Sequence, residues 1–148
     1  MIKDKIIVFV PHKIVSEANN FDNRWKKQAR KESLHWAVKA ALSQHSGEFP
    51  LPCLITFERI GKKMLDDDNL AYAFKAARDM VAKVVIERTE PGPVKPIGQY
   101  DSDSRLNFKY AQRSNKDELG HIHQIGFYII IEETEKIDPQ RENVIEQT

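Results

Sequence analysis

The sequence predicts an α+β domain with the order β-α-β-α-β-β, a mixed sheet with two helices packed on one face. Three observations predict it. Apolar residues recur at helical spacing in two long stretches, around Leu34–Leu42 and Leu70–Val85. Four shorter runs are β-branched or aromatic and either alternate with polar residues or are apolar throughout. The 148 residues are 41% hydrophobic and 30% charged, which suits one domain with its own core and excludes a disordered chain.

Ile6 to Val10 is a compact strand stopped by Pro11. Residues 12–24 are polar and Asn-rich, so a loop. From about Trp25 to Gln44 the chain turns helical, with Leu34, Ala37, Val38, Ala41 and Leu42 on one face. Trp36 is expected in the core. Ser46 to Pro52 is a turn region. Cys53 to Ile60 is a second strand with Cys53, Ile55 and Phe57 on one face. Leu70, Ala73, Phe74, Ala77, Met80, Val81, Val84 and Val85 then mark one amphipathic helix. Glu87 to Ser104 is a long connection rich in Pro and Gly, a length associated with function or mobility. Leu106, Phe108 and Tyr110 alternate with polar neighbours as a third strand. Asn115 to Gly120 is a turn, and His121 to Ile131 a fourth strand that can pair with the third as a hairpin. Its end, Phe127 to Ile131, is apolar on both faces and so central. Residues 1–133 form the domain, and 134–148 a charged tail expected to be disordered.

The formal net charge is only +1, from 23 basic and 22 acidic residues, which argues against a uniformly basic DNA coater. The charges are unevenly spread. Glu132 to Thr148 carries six acids against Lys136 and Arg141. Arg24 to Lys39 carries six bases (Arg24, Lys26, Lys27, Arg30, Lys31, Lys39) against Glu32. Cys53 is the one cysteine, which rules out a disulfide framework and Cys-based zinc. The N-terminal apolar run is too short for a signal peptide, and no stretch reaches membrane-spanning length, so a cytoplasmic setting is expected.

The sharpest feature is Asp66-Asp67-Asp68-Asn69 at the start of the second long helix. Helix capping or a solvated acidic loop is one reading. The other is a site for a hard divalent cation, because three adjacent carboxylates repel one another and Mg²⁺ favours carboxylate oxygens completed by water and phosphate. Asp101 and Asp103 lie just before the third strand. They are strong turn formers, and the long connection could also bring Asp103 back towards Asp66 and Asp68. Asp68, Tyr72, Lys75 and Asp79 share the polar arc of the helix. Lys75 reads either as a solvated lysine or as a group that neutralises phosphate charge.

Asp66-Asp67-Asp68-Asn69-Leu70 resembles the Asp-x-Asp-Asn-Leu signature of the RusA-type Holliday-junction resolvases, small phage-type endodeoxyribonucleases. The resemblance spans roughly residues 50–131, with strand, motif, helix and a further acid before the next strand. It implies a homodimer that binds branched DNA and makes paired nicks with Mg²⁺, Mn²⁺ being the alternative ion. It implies Asp66, Asp68 and Asp103 as metal ligands, with Asp101 as a second candidate for the third position, and Asn69 as the residue that orders the turn. The chain departs from the family pattern at Tyr72, where a lysine is usual and which Lys75 could replace. It also has a longer connection before Asp103 and no clear Pro-Pro-Ser-x-Asn stretch near the N-terminus.

The leading expectation is metal-dependent phosphodiester hydrolysis, with Asp66, Asp68, Asp103 and Lys75 as the catalytic set. Lys62 and Lys63 would share the phosphate charge. Arg24, Lys26, Lys27, Arg30 and Lys31 would track the DNA backbone, and Trp25 could stack on an unpaired base. The rival is a non-catalytic DNA-binding or adaptor protein on the same scaffold. His121 and His123 share a strand face, read chiefly as solvent-exposed and secondarily as a metal pair. Cys53 reads as core.

Overall fold

A computed structural model describes residues 5–16, 23–90 and 92–135. The order is β1 (Ile6–Val10), α1 (Arg24–Leu42), β2 (Cys53–Gly61), α2 (Asp67–Ala73), α3 (Lys75–Thr89), β3 (Leu106–Ser114) and β4 (Gly126–Glu133). The four strands form one mixed sheet in the order β1-β4-β2-β3. β2 and β3 are parallel, while β4 runs antiparallel to both β1 and β2. β1, β2 and β3 therefore point the same way, and their carboxyl ends lie along one edge of the molecule.

The α+β class is as expected, and the apolar Phe127–Ile131 run is indeed central. The third and fourth strands do not form a hairpin. β4 enters between β1 and β2, where both neighbours can bury its apolar residues, and β3 takes the outer edge of β2.

One face of the sheet carries the core. Val8, Val10, Cys53, Ile55, Phe57, Leu106, Phe127, Ile129 and Ile131 are buried on it, and the helices cover it. On the other face only Ile60 and its partner Gly126, at one end of β2 and β4, are buried among the described strand residues. Phe57 lies at the centre of an aromatic cluster, stacked on Phe74 at 5.1 Å, on Tyr110 at 5.9 Å and on Phe108 at 6.3 Å.

The expected single helix after Asp66 is two helices. Phe74 leaves helical geometry (φ −90°, ψ 2°) and is fully buried against Phe57, Tyr110 and Phe127. The ring's packing on the sheet outweighs the lost helical continuity. The apolar stripe survives the break, since Leu70, Ala73, Ala77, Met80, Val81 and Val85 are all buried.

α1 begins where Asn23 accepts a hydrogen bond from the Lys26 amide at 2.9 Å, a side-chain N-cap. Its buried face is Leu34, Val38, Ala41 and Leu42. Trp36 is not in the core. It lies two residues from Leu34, on the far side of the helix, 67% exposed with the Lys39 ammonium 5.3 Å from the ring centre.

Residues 92–105 are held along α3. The Tyr100 hydroxyl donates to Glu87 at 2.6 Å and accepts from the Lys95 amide at 2.7 Å, while Lys83 bonds Glu87 at 2.7 Å. Burial pushes the Glu87 pKa up, but the hydrogen bonds from Lys83 and Tyr100 outweigh it and leave the carboxyl below its ordinary value. Residues 136–148, most of the predicted tail, lie outside the described residues.

Candidate phosphate-binding groove and acidic cluster

The carboxyl ends of β1 and β2 gather most of the predicted basic residues. Lys27, Arg30 and Lys31 of α1, Lys13 of the segment after β1, and Lys75 of α3 line one cavity of about 310 Å³. Lys62 and Lys63, which follow β2, line a second of about 440 Å³. Lys13, Ile14 and Val15 form a wall of both, so the two cavities adjoin. Arg24 and Lys26 stand outside them on the exposed first turn of α1. The Arg24 guanidinium lies 5.1 Å from the ring centre of Trp25, which is 73% exposed.

Asp66, Asp67 and Asp68 lie between the two cavities in sequence and are all exposed. Asp66 is the N-cap residue of α2 by backbone, yet its side chain makes no capping bond. None of the three carboxylates has an ion pair or hydrogen bond among the described residues. Side-chain capping therefore does not account for them, while their exposure is what a solvated acidic loop at a helix start would show. Asn69 is half-buried in the first turn of α2, and exposed Tyr72 lines the 310 Å³ cavity one turn beyond Asp68.

Asp103 does not join the acids. Arg105 binds it with Nε to Oδ1 at 3.0 Å and Nη2 to Oδ2 at 2.8 Å. Arg105 also pairs with Glu90, and these hydrogen bonds raise the guanidinium pKa further. Asp103 precedes β3 at the amino end of the sheet, where Leu106 faces Cys53. Leu65, next to Asp66, is bonded through its amide and carbonyl to the Gln112 side chain near the other end of β3. The six steps along the strand from Leu106 to Gln112 span about 20 Å. The long connection packs on α3 instead of carrying Asp103 back, and Asp101 pairs with Arg78 at 3.5 Å. Among the described residues no three His, Cys, Asp or Glu side chains come together as a metal cage.

Asp79 departs from the expected exposed arc. It is buried, because α3 packs on α1 as well as on the sheet. Its Oδ2 lies 3.6 Å from Lys75, and its Oδ1 is buried without a hydrogen bond. His35 of α1 is also buried, with Nε2 lacking a partner. Desolvation and Lys31 pull the His35 pKa down, against weaker upward pulls from Asp79 and Glu32.

His121 and His123 do not lie on a strand of the sheet. They belong to the turn before β4, and both face Asp117, at 3.6 Å and 3.0 Å. Cys53 is in the core as expected, its thiol pushed up to about 12 by burial and by Asp103.

Three basic-cavity contributors escape the sequence patterns. His12 and Lys13 sit in a loop with no distinguishing signal. Arg59 does carry one, since it occupies the inward row of β2 after Cys53, Ile55 and Phe57, where an apolar residue is the norm.

No family model, curated protein or solved structure matches this chain. No helix among the described residues is long and apolar enough to cross a membrane.

Proposed function

We propose that the protein is a metal-dependent endodeoxyribonuclease acting on branched DNA, of the Holliday-junction resolvase kind. The observation that carries this reading is the juxtaposition at one end of the sheet. Lys13, Lys27, Arg30, Lys31, Lys62, Lys63 and Lys75 line two adjoining cavities, and the stretch between Lys63 of one and Tyr72 of the other carries three carboxylates that no side chain or helix cap engages among the described residues. The motif resemblance at Asp66–Leu70 supports the same reading.

Asp66 and Asp68 hold Mg²⁺, or Mn²⁺, in this proposal. When bound, the ion supplies the nucleophilic hydroxide and the charge that stabilises the leaving oxygen. Lys75, at the cavity wall beyond Tyr72, neutralises phosphate charge. Its pairing with Asp79 keeps the ammonium on that side of α3. The α1 bases track the backbone on either side of the cut. Paired nicks require two copies of the chain, each presenting one such site to a two-fold symmetric junction.

A second reading has its own support. With Asp103 engaged by Arg105, the described residues offer two acids near the groove where the motif implies three. A non-catalytic DNA-binding protein would keep the groove and lack metal dependence. Incubating the protein with a four-way junction and with linear duplex, in Mg²⁺ or EDTA, separates the two. Cleavage with Mg²⁺ and none with EDTA supports the nuclease. Binding without cleavage in either Mg²⁺ or Mn²⁺ establishes the second reading.

A further inference from the structure

Arg59 is only 6% exposed, and no carboxylate pairs with it among the described residues. Its Nε donates to the Ile14 carbonyl at 3.2 Å, and its Nη1 to the Lys63 carbonyl at 2.6 Å and to Gln112 Oε1 at 3.5 Å. All three acceptors are neutral. Nη2 donates to none of the described residues, yet it is not among the buried polar atoms that lack a partner. It therefore keeps access to the 440 Å³ cavity that Arg59 helps to line.

A desolvated cation without a counter-ion is costly, and an anion beside it relieves the cost. The cavity is built for one. Lys13, Lys62 and Lys63 line it with Arg59, and among the described residues no acidic side chain does. Ser16 also lines it, and its Oγ is buried without a hydrogen-bond partner. Gly61 makes room for the guanidinium, since a Cβ there would lie 2.6 Å from Arg59 Cζ and Nη1.

We propose that this cavity is a phosphate subsite, in which Arg59 Nη2 binds a backbone phosphate of the nucleic acid while Lys13, Lys62 and Lys63 surround it. The binding of a phosphate group stands on the cavity alone. Its assignment to DNA rests on the function proposed above. The subsite adjoins the Lys75 cavity across Lys13, Ile14 and Val15, so one strand can fill both.

The test uses the full chain in EDTA, so that cutting plays no part. Arg59→Gln removes the charge. Gly61→Ala keeps the charge and displaces the guanidinium, a shift that the flexible end of the arginine can make. Lys109→Gln on the open sheet face is the control for a lost surface charge. Affinity for a junction oligonucleotide is measured against salt, with circular dichroism verifying the fold. One lost phosphate contact lowers the slope of log K against log salt by about 0.9 on duplex DNA. Both subsite variants should show that loss and the control should not. In parallel, inorganic phosphate should raise the melting temperature of the wild-type protein and not that of Gly61→Ala. If Arg59→Gln fails to fold, Gly61→Ala carries the test. A folded Gly61→Ala with unchanged salt slope and unchanged phosphate response overturns the subsite, even if the wild type cuts junctions. Phosphate binding lost in Gly61→Ala, in a protein that binds no DNA, keeps the subsite and overturns the DNA assignment.

Discussion

Asp103 and Arg105, two residues apart, form a bidentate ion pair at 3.0 and 2.8 Å just before β3. The Arg105 amide also donates to Asp103 Oδ1 at 3.0 Å, so the carboxylate closes the turn that starts the strand. Both lone-pair-rich oxygens are thereby engaged at the amino end of the sheet, away from Asp66 and Asp68.

This pairing separates two acids that the motif would treat alike. Asp68→Asn is expected to abolish cleavage of a four-way junction while leaving binding within about twofold. Asp103→Asn is expected to cut at a rate within about tenfold of wild type and to lose about 1 kcal/mol of stability, the upper end for a partly exposed pair with ideal geometry. Single-turnover cleavage and urea denaturation of the two variants provide the comparison. Loss of cleavage in a stably folded Asp103→Asn would place Asp103 in the catalytic set after all.

Phe74 joins the two helices to the aromatic cluster of the sheet. Phe74→Ala should cost about 3–5 kcal/mol, because the ring is fully buried and its neighbours are themselves rigid aromatics. Phe74→Leu should cost clearly less. Chemical denaturation of both variants measures the difference.

His35 makes stability depend on pH. Its folded-state pKa lies below the ordinary 6.5, through burial and the Lys31 charge, although Asp79 and Glu32 oppose them. Below about pH 6.5 the unfolded chain takes up a proton that the folded protein refuses, so acid favours unfolding. Stability should be flat above pH 7.5 and fall towards pH 5. His35→Gln should remove part of that slope, as read from urea midpoints across the range.

Cys53 should be inert in the folded protein. With its pKa pushed up to about 12 and no solvent exposure, almost no thiolate is present at pH 8. A disulfide reagent at that pH should label Cys53 only in denaturant. Rapid labelling without denaturant would show that the amino end of β2 opens readily.

Much of this architecture was legible in local pattern. The β1 run, the inward row Cys53–Ile55–Phe57, the Leu34–Leu42 face and the central position of Phe127–Ile131 follow from alternation and period. What pattern could not show was partnership. β4 pairs with β1 and β2, not with its sequence neighbour, because strand order depends on which apolar faces meet after long loops close. Trp36 looked like core by residue type, but its angle on α1 puts it in solvent. Asp79 looked solvent-facing on one helix and is buried by a second. At the site, the acids and bases were identifiable by type and spacing. The adjoining of Lys27, Lys31 and Lys75 needed the folded chain, as did the removal of Asp103 by its neighbour Arg105.

The insertion of β4 between β1 and β2 sets a sequence of events for a growing chain. β1 precedes the other strands in the chain, yet both its ladder partner and the link to the rest of the sheet are supplied by residues 126–133. Until those residues emerge, Ile6–Val10 has no edge to join, and Lys13 has no fixed place beside Lys62 and Lys63. The basic groove is thus assembled only after β4 has emerged and locked β1 to the rest of the sheet. A nascent chain would carry its acidic cluster well before the neighbouring basic cavities could form.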